Sequence, residues 1–496
     1  MGGIARAEMT WTFEVDWDKD GTYTNETAYI QKLIIRRGRR ESISGDSYAH
    51  VDIGELSATA IDPGGRYNFF NTSSALNGYL IPNRPVRVKY TDGDLGYWLY
   101  QGLLSDIRNQ RKEKVSRLEA KDHLRYLTDR DGDNVALHTD QTVRDAIADL
   151  LLAAEFTNLV DALTFPFVFP GTLDPSDLDD NGDLIPIWWG DPTKKVLDQI
   201  NEIADAFAGS FFINTDGVAA YRARAQGGAA VVTLNDADVK DDTDMQQPWD
   251  EVRNQIRIVA KPRTTTPTTT DEIWRLYDKP YIAAGASLTI WAEYQYDGEY
   301  APYKTVVTPV NNTDYESNTL EDGTGTDGSG SIAIVMTTYT TEAKLVITNN
   351  AAYGQYITML KLRGQLYIAP QSSTMTASDT DSQTAYDKRG LTIESRWMQD
   401  TVVAQMHADH AKLLYANPRK VVWVVIHNRP SIQFACDLFD KVALNLTELS
   451  ATGSYQVTYI EHAIDRKDMR TTWRLEEMVS NLWIFPAAFD DNTLGW

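Results

Sequence analysis

The chain of 496 residues has a single cysteine, Cys436. One copy can therefore form neither a disulfide framework nor a cysteine-ligated zinc site, and packing must hold the fold. Long apolar runs are missing too: none approaches the roughly 18 residues that cross a bilayer. The opening Met1-Gly2-Gly3-Ile4-Ala5-Arg6 carries no apolar leader core. Both absences predict synthesis and folding in a reducing cytoplasm without membrane insertion. Basic residues are scarce, 47 against 70 acidic ones, for a net charge of −23. A field of that sign repels phosphate backbones and argues against tight nucleic-acid binding. Catalytic signatures are lacking as well. There is no GxSxG elbow, no GxxxxGK[ST] phosphate loop, and no GxGxxG opening a helix after a strand. Among 70 acids some pair always resembles a glycosidase dyad, so glycoside hydrolysis is only a remote alternative. Cys436 has no histidine beside it and reads as a small buried residue.

What is present points to β-structure. Aromatic residues make up 10% of the chain, which suits pleated surfaces and interfaces. The length suggests about three domains. Strand-like alternation fills Met9–Trp17, Tyr29–Arg40, Val51–Ala60, Pro85–Tyr90, Tyr97–Leu104 and Val115–Ala120, separated by turn signals. Two helices are expected next: Thr139–Phe156, and one opening at Asp191-Pro192 and stopping at Gly209. A hairpin turning at Thr215-Asp216-Gly217 follows. Beyond the Thr/Pro run Thr264–Thr270, read as a linker, the only basic residues from Tyr281 to Leu360 are Lys304 and Lys344. That stretch reads as an inserted sandwich of jelly-roll type. A helix over about Gln399–Ala416 and four closing strands complete the chain.

The predicted class is thus mainly β with α+β portions. The first β-domain covers 1–128, and a small α/β helix-hairpin domain covers 129–248. A second β-domain is assembled from 249–280 and 371–480, with the sandwich at 281–370 inserted into it. The arm 481–496, with Trp483, Phe485, Phe489 and Trp496 near Asp490-Asp491, docks either on a neighbour or back on its own domain.

Four groups of side chains could carry chemistry. Asp16, Asp18 and Asp20, followed by Gly21, alternate as oxygen ligands of a Ca²⁺ loop do, but Thr27 stands where an EF-hand needs Glu. A plain acidic hairpin turn is the other reading, and Asp177–Gly182 repeats the pattern more weakly. No other cofactor is expected. Arg36, Arg37, Arg39 and Arg40 lack interleaved aromatics, so they are expected to pair with acids of a neighbouring subunit or of the nearby acidic turn. His407 and His410 read as a solvated helix face rather than a metal pair. Trp291, Tyr294, Tyr296, Tyr300 and Tyr303 either stack on sugar rings of a cell-surface glycan or fill the sandwich core, the second reading weighing more.

Three stretches resemble tailed-phage tail-tip (baseplate hub) proteins. The first runs from Val15-Asp16-Trp17-Asp18-Lys19-Asp20-Gly21-Thr22-Tyr23 through Leu33-Ile34-Ile35-Arg36-Arg37-Gly38-Arg39 and Leu56-Ser57-Ala58-Thr59-Ala60 to Asp62-Pro63-Gly64-Gly65-Arg66-Tyr67 and Pro85-Val86-Arg87-Val88. The second is Val196-Leu197-Asp198-Gln199-Ile200 to Gly217. The third is the closing block with Asp440-Lys441-Val442-Ala443-Leu444 and Tyr455–His462. The resemblance implies two tail-tube-like β-barrels, at the start and end of the chain. It also implies a non-enzymatic virion protein at the tail tip, a homotrimer forming a ring of pseudo-sixfold symmetry that closes the tail tube. The implied partners are the distal tail/tube ring, the tape-measure protein and other tail-tip or receptor-binding proteins. Leu33, Ile34, Ile35, Arg36 and Arg37 on one strand, with Val442, Leu444 and Leu446 on another, are the expected assembly surfaces, through edge strands that pair or pack between copies.

Overall fold

In the computed structural model, residues 10–44, 47–92, 95–110, 112–132, 135–156, 175–223, 229–465 and 468–478 are described. The expected arm at 481–496 lies outside them. The chain is mainly β, with few helices.

Strand Thr10–Val15 places Phe13 and Val15 inward by simple alternation and pairs antiparallel with Pro85–Asp92, Phe13 opposite Val88. The ladder continues through Leu95–Gln110, Val115–Lys121 and Asp52–Ile61 to Ile30–Gly38. Phe13 at one end of this series and Leu33 and Ile35 at the other share one core with Leu56, Val88 and Leu118. The series is therefore curled into a barrel-like wall. Each fully buried aliphatic side chain of that core is worth about 1.5–3 kcal/mol.

Strand Ile30–Gly38 does not end the sheet. Its far side pairs with Ala451–Asp465, Leu33 opposite Ile464 and Ile35 opposite His462. The ladder then runs through Asp468–Glu477 and Val421–His427 to the short Asp244–Gln246, while Lys441–Leu446 joins Ala451–Asp465 and carries Val232–Asn235 in parallel. This second half encloses its own core, with Trp473, Tyr455, Val442, Leu444 and Val424. The two expected walls are thus halves of one 13-stranded sheet. Gly38 marks the seam. It has φ +104°, and a Cβ there would lie 2.2 Å from the Thr458 carbonyl oxygen.

Three boundaries differ from expectation. The α/β unit gives up its last part, because Val232–Asn235 and Asp244–Gln246 pair into the large sheet. Its first helix spans Val143–Ala153, since His138–Thr142 is a strand paired with Leu184–Trp188 and Thr142 accepts a cap from Asp145 N. Its second helix runs Val196–Phe207 with Lys195, not Asp191, at the N-cap.

Residues expected to complete the second barrel instead build a separate unit. Gln255–Ala260 lies between Ser373–Ser378 and Gly390–Glu394, and helix Thr401–Tyr415 packs on them through Ala404, Ala408 and Ala411.

The inserted sandwich begins earlier than 281. Thr264 and Thr265 pair with Ile368 and Tyr367, and buried Thr266 exchanges hydrogen bonds with Leu366. The first two residues of the Thr run form a strand, since β-branched residues fit the pleat beside a long partner. That partner, Gln355–Ile368, is paired with five other strands. A second sheet, Ser287–Glu293, Glu342–Asn349 and Ile332–Thr338, closes over the core of Tyr294, Leu345, Ile347 and Leu360. Its insertion point is narrow, since Ala260 and Ser373 are themselves paired.

Candidate functional site

The seam between the two halves concentrates the buried charge. Alternation puts Leu33, Ile35 and Arg37 on one face of their strand, so Arg37 is carried inward with only 4% of its side chain exposed. Its guanidinium donates from Nη1 to Asp437 Oδ1 at 2.8 Å and from Nη2 to the Ile213 carbonyl at 2.5 Å. Asp437 also accepts from Thr215 N at 3.0 Å. One ion pair thus links the first half, the α/β hairpin and the second half. Beside it, Asp122 accepts from Gly54 N and Leu124 N, and burial pushes its carboxyl up to about 7. Burial holds His123 down at about 4 and His462 at about 3, both neutral near pH 7.

A second network lies deeper in the second half. Glu476, 3% exposed, meets Arg474 Nη1, Arg419 Nη2 at 3.1 Å and Arg39 Nη2 at 3.9 Å, while Arg474 also reaches Glu251 at 3.4 Å. Burial alone would raise the Glu476 pKa. Arg419, Arg39 and Arg474 outweigh it and hold the carboxylate well below its usual range.

These positions correct the expected assembly surface. Leu33 and Ile35 are fully buried, Ile34 is half-buried, and both sides of their strand are hydrogen-bonded within the chain. Val442, Leu444 and Leu446 are buried likewise, between Val232–Asn235 and Ala451–Asp465. Neither strand offers an edge to another copy. Arg36 pairs with Glu461 at 2.7 Å and Arg40 donates to Tyr459 Oη at 2.9 Å. The arginine cluster finds its partners inside its own chain, some 400 residues away, and not at the acidic turn. Asp437 and Glu476 escape sequence reading because only the register of the seam brings them near. Arg37 itself was findable, since its place in the alternation points it inward.

Asp16, Asp18 and Asp20 do gather, with one carboxylate oxygen of each within 4.8 Å of the others. Asp16 is buried, and both its oxygens already accept backbone hydrogen bonds, from Lys19 N at 2.7 Å and Gly21 N at 2.9 Å. Asp20 accepts from Thr22 N. The arrangement closes a tight turn and leaves two exposed carboxylates at its rim. In the weaker repeat, Asp179 accepts from Ala223 N and Asp180 faces Arg144 at 3.2 Å.

His407 and His410 are buried, against the reading of a solvated face. His407 meets Phe207 edge-on at 5.9 Å between ring centres. Cys436 is buried as expected, and burial pushes its thiol up to about 12, far from a thiolate at neutral pH. In the sandwich the five aromatics divide. Tyr294 is wholly buried and Tyr303 packs against the same core, whereas Trp291, Tyr296 and Tyr300 are exposed. Among the described residues no helix is long and apolar enough to cross a membrane.

No family model matches the chain, and no curated protein matches its sequence. Solved structures do match. The tail protein from Neisseria meningitidis MC58 aligns over 97% of this chain and 99% of its own, with a TM-score of 0.50 and 9% identity. The 43 kDa tail protein of prophage MuSo2 from Shewanella oneidensis aligns over 94% and 95%, with a TM-score of 0.49 and 9% identity. Prophage tail protein gp18 from Listeria monocytogenes EGD-e aligns over 95% and 95%, at 0.45 and 8%. From end to end the chain is similar in fold to the meningococcal tail protein, the architecture that its opening, helix-hairpin and closing stretches imply.

Proposed function

We propose that this chain is a non-enzymatic structural protein of a phage tail, a hub at the tail tip whose copies form a trimeric ring closing the tube. The observation that carries the reading is the end-to-end likeness in fold to a tail protein, in which neither terminal half is left over. The seam supports it: a single sheet with its charges paired internally is a stiff wall segment, as a ring that bears load requires. His407, His410 and Cys436 are built into packing, and the buried acids into salt bridges and backbone hydrogen bonds, which agrees with a role without catalysis.

The strand edges left for a neighbour are at the ends of the large sheet. Among the described residues, Thr10–Val15 is paired on its outer side only at Glu14 and Val15, and Val232–Asn235 and Asp244–Gln246 each pair on one side. Edge pairing there would join copies and shield those edges from aggregation. The distal tail/tube ring, the tape-measure protein and other tail-tip or receptor-binding proteins are the proposed further partners, in the virion. A net charge of −23 suits a channel that passes DNA without holding it. Mass photometry with negative-stain microscopy of the purified chain tests the proposal. Particles of three-chain mass with a central opening are expected, and a monomer without rings at high protein concentration overturns it.

A further inference from the structure

The inserted sandwich has an outer sheet face whose Thr289, Trp291, Glu293, Val335 and Thr337 side chains are exposed. On Ser287–Glu293 and Ile332–Thr338 every second side chain faces the core and the others face solvent. Cross-strand register sets these outward residues in rows: Thr289, Val346 and Val335 in one, Trp291, Lys344 and Thr337 in the next. Trp291 is 49% exposed. The Tyr339 ring lies 5.5 Å from it at 38°, and the Lys344 ammonium lies 5.7 Å from its centre. Glu293 stands exposed one pleat further along the same face, and its carboxylate raises the Tyr300 hydroxyl above its usual range.

We infer that this face binds a neutral polysaccharide, one hexopyranose ring stacking on Trp291 with its hydroxyls hydrogen-bonded to Lys344, Thr337 and Glu293. The negative face of an indole attracts the polarised C–H groups of a sugar ring. Alternation of the sheet surrounds that ring with an ammonium, hydroxyls and a carboxylate, the donors and acceptors that a polyhydroxylated ring needs at its rim. A protein anchor would call for a larger unbroken apolar patch than one indole, one tyrosine and a valine interrupted by polar rows. An anionic polymer is disfavoured, because residues 264–370 carry twelve acidic and six basic side chains.

The test is affinity gel electrophoresis of the full chain through soluble glucan, mannan and galactan, with alginate as the anionic comparison. At least one neutral polymer should retard the protein and alginate should not. Trp291→Ala should weaken the retardation at least about tenfold, the scale of a lost aromatic stacking contact, with an unchanged melting temperature. Trp291→Phe should retain most of it. Trp249→Ala, which removes a ring 66% exposed elsewhere, should change nothing. Val335→Asp supplies a second lesion on the same face without touching the core, and should also weaken binding. Absence of retardation by every neutral polymer, retardation by alginate alone, or binding that survives both Trp291→Ala and Val335→Asp overturns the inference.

Discussion

Each half of the large sheet encloses a network around a buried glutamate, and the two satisfy that carboxylate in opposite ways. In the first half Glu26, with no exposed surface, accepts from Trp17 Nε1 at 2.9 Å and Tyr67 Oη at 2.8 Å, and one arginine, Arg66, closes the set at 2.9 Å. All four groups belong to one lobe. In the second half, three arginines drawn from positions hundreds of residues apart converge on Glu476, and one of them, Arg474, also reaches Glu251. The first network is a local pin, neutral donors doing much of the holding. The second is an ionic knot in which every charge depends on the others.

The largest expected effect breaks this contrast directly. Glu476→Gln leaves Arg474, 1% exposed, and Arg419 and Arg39 without their shared anion. Removing one partner of a buried ion pair costs about 3–5 kcal/mol. Glu26→Gln keeps an acceptor for Trp17 or Tyr67 and strands only Arg66, which is partly exposed. A loss of about 1–3 kcal/mol is expected there. Urea denaturation of both variants checks the order, and equal losses would mean that the two networks are energetically alike.

The same two halves should titrate in opposite directions. The Glu476 pKa is lower folded than unfolded, so its contribution is present above the unfolded value of about 4.3 and is lost as pH falls below it. Asp122, at the first half's end of the seam, is raised to about 7 by burial. Its contribution is full below the unfolded value of about 3.9 and is lost as pH rises toward 7. His123 and His462, held neutral with values of about 4 and 3, work against Asp122, adding stability as pH climbs toward their unfolded value of about 6.5. Asp122→Asn removes the opposing slope, and melting temperature should then rise with pH between about 4 and 7 more steeply than in the parent chain. Parallel profiles would show that Asp122 is not protonated in the folded state.

How much of this was legible in the sequence follows from range. The strands of the first half, the hairpin after the second helix and the strand-rich insertion all follow from period-two alternation and turn residues. The exposed Trp291 and buried Tyr294 differ by an odd number of positions along one segment, and alternation separates them. What was not legible depended on partners. Leu33–Ile35 reads the same whether its strand edge faces a neighbouring copy or Ala451–Asp465, because hydrogen-bonding edges leave no trace in side-chain pattern. Composition marks Thr264–Thr270 as a linker, yet Thr264 and Thr265 pair beside a long strand, where β-branched residues fit the pleat. The sequence pattern puts His407 and His410 on the solvated face, but alanines, not large apolar residues, mark the packed side of that helix, and both histidines lie on it.

The smallest expected effect sharpens the comparison at the rim of the first half, where Asp16 repeats in miniature the use of a carboxylate as a pin. If the turn is held by Asp16 accepting from Lys19 N and Gly21 N, the three acids are unequal. Asp16→Ala then costs about 1–3 kcal/mol through two orphaned backbone donors. Asp18→Asn, on an exposed side chain, stays within about 0.5 kcal/mol. A bound divalent cation would make the acids interchangeable as ligands and tie all of them to calcium. Melting curves of the parent, Asp16→Ala and Asp18→Asn proteins, with calcium chloride or with chelator, separate the two. The unequal pattern, insensitive to calcium, is expected from the backbone hydrogen bonds, whereas equal losses that appear only with calcium would replace the pin by a metal loop.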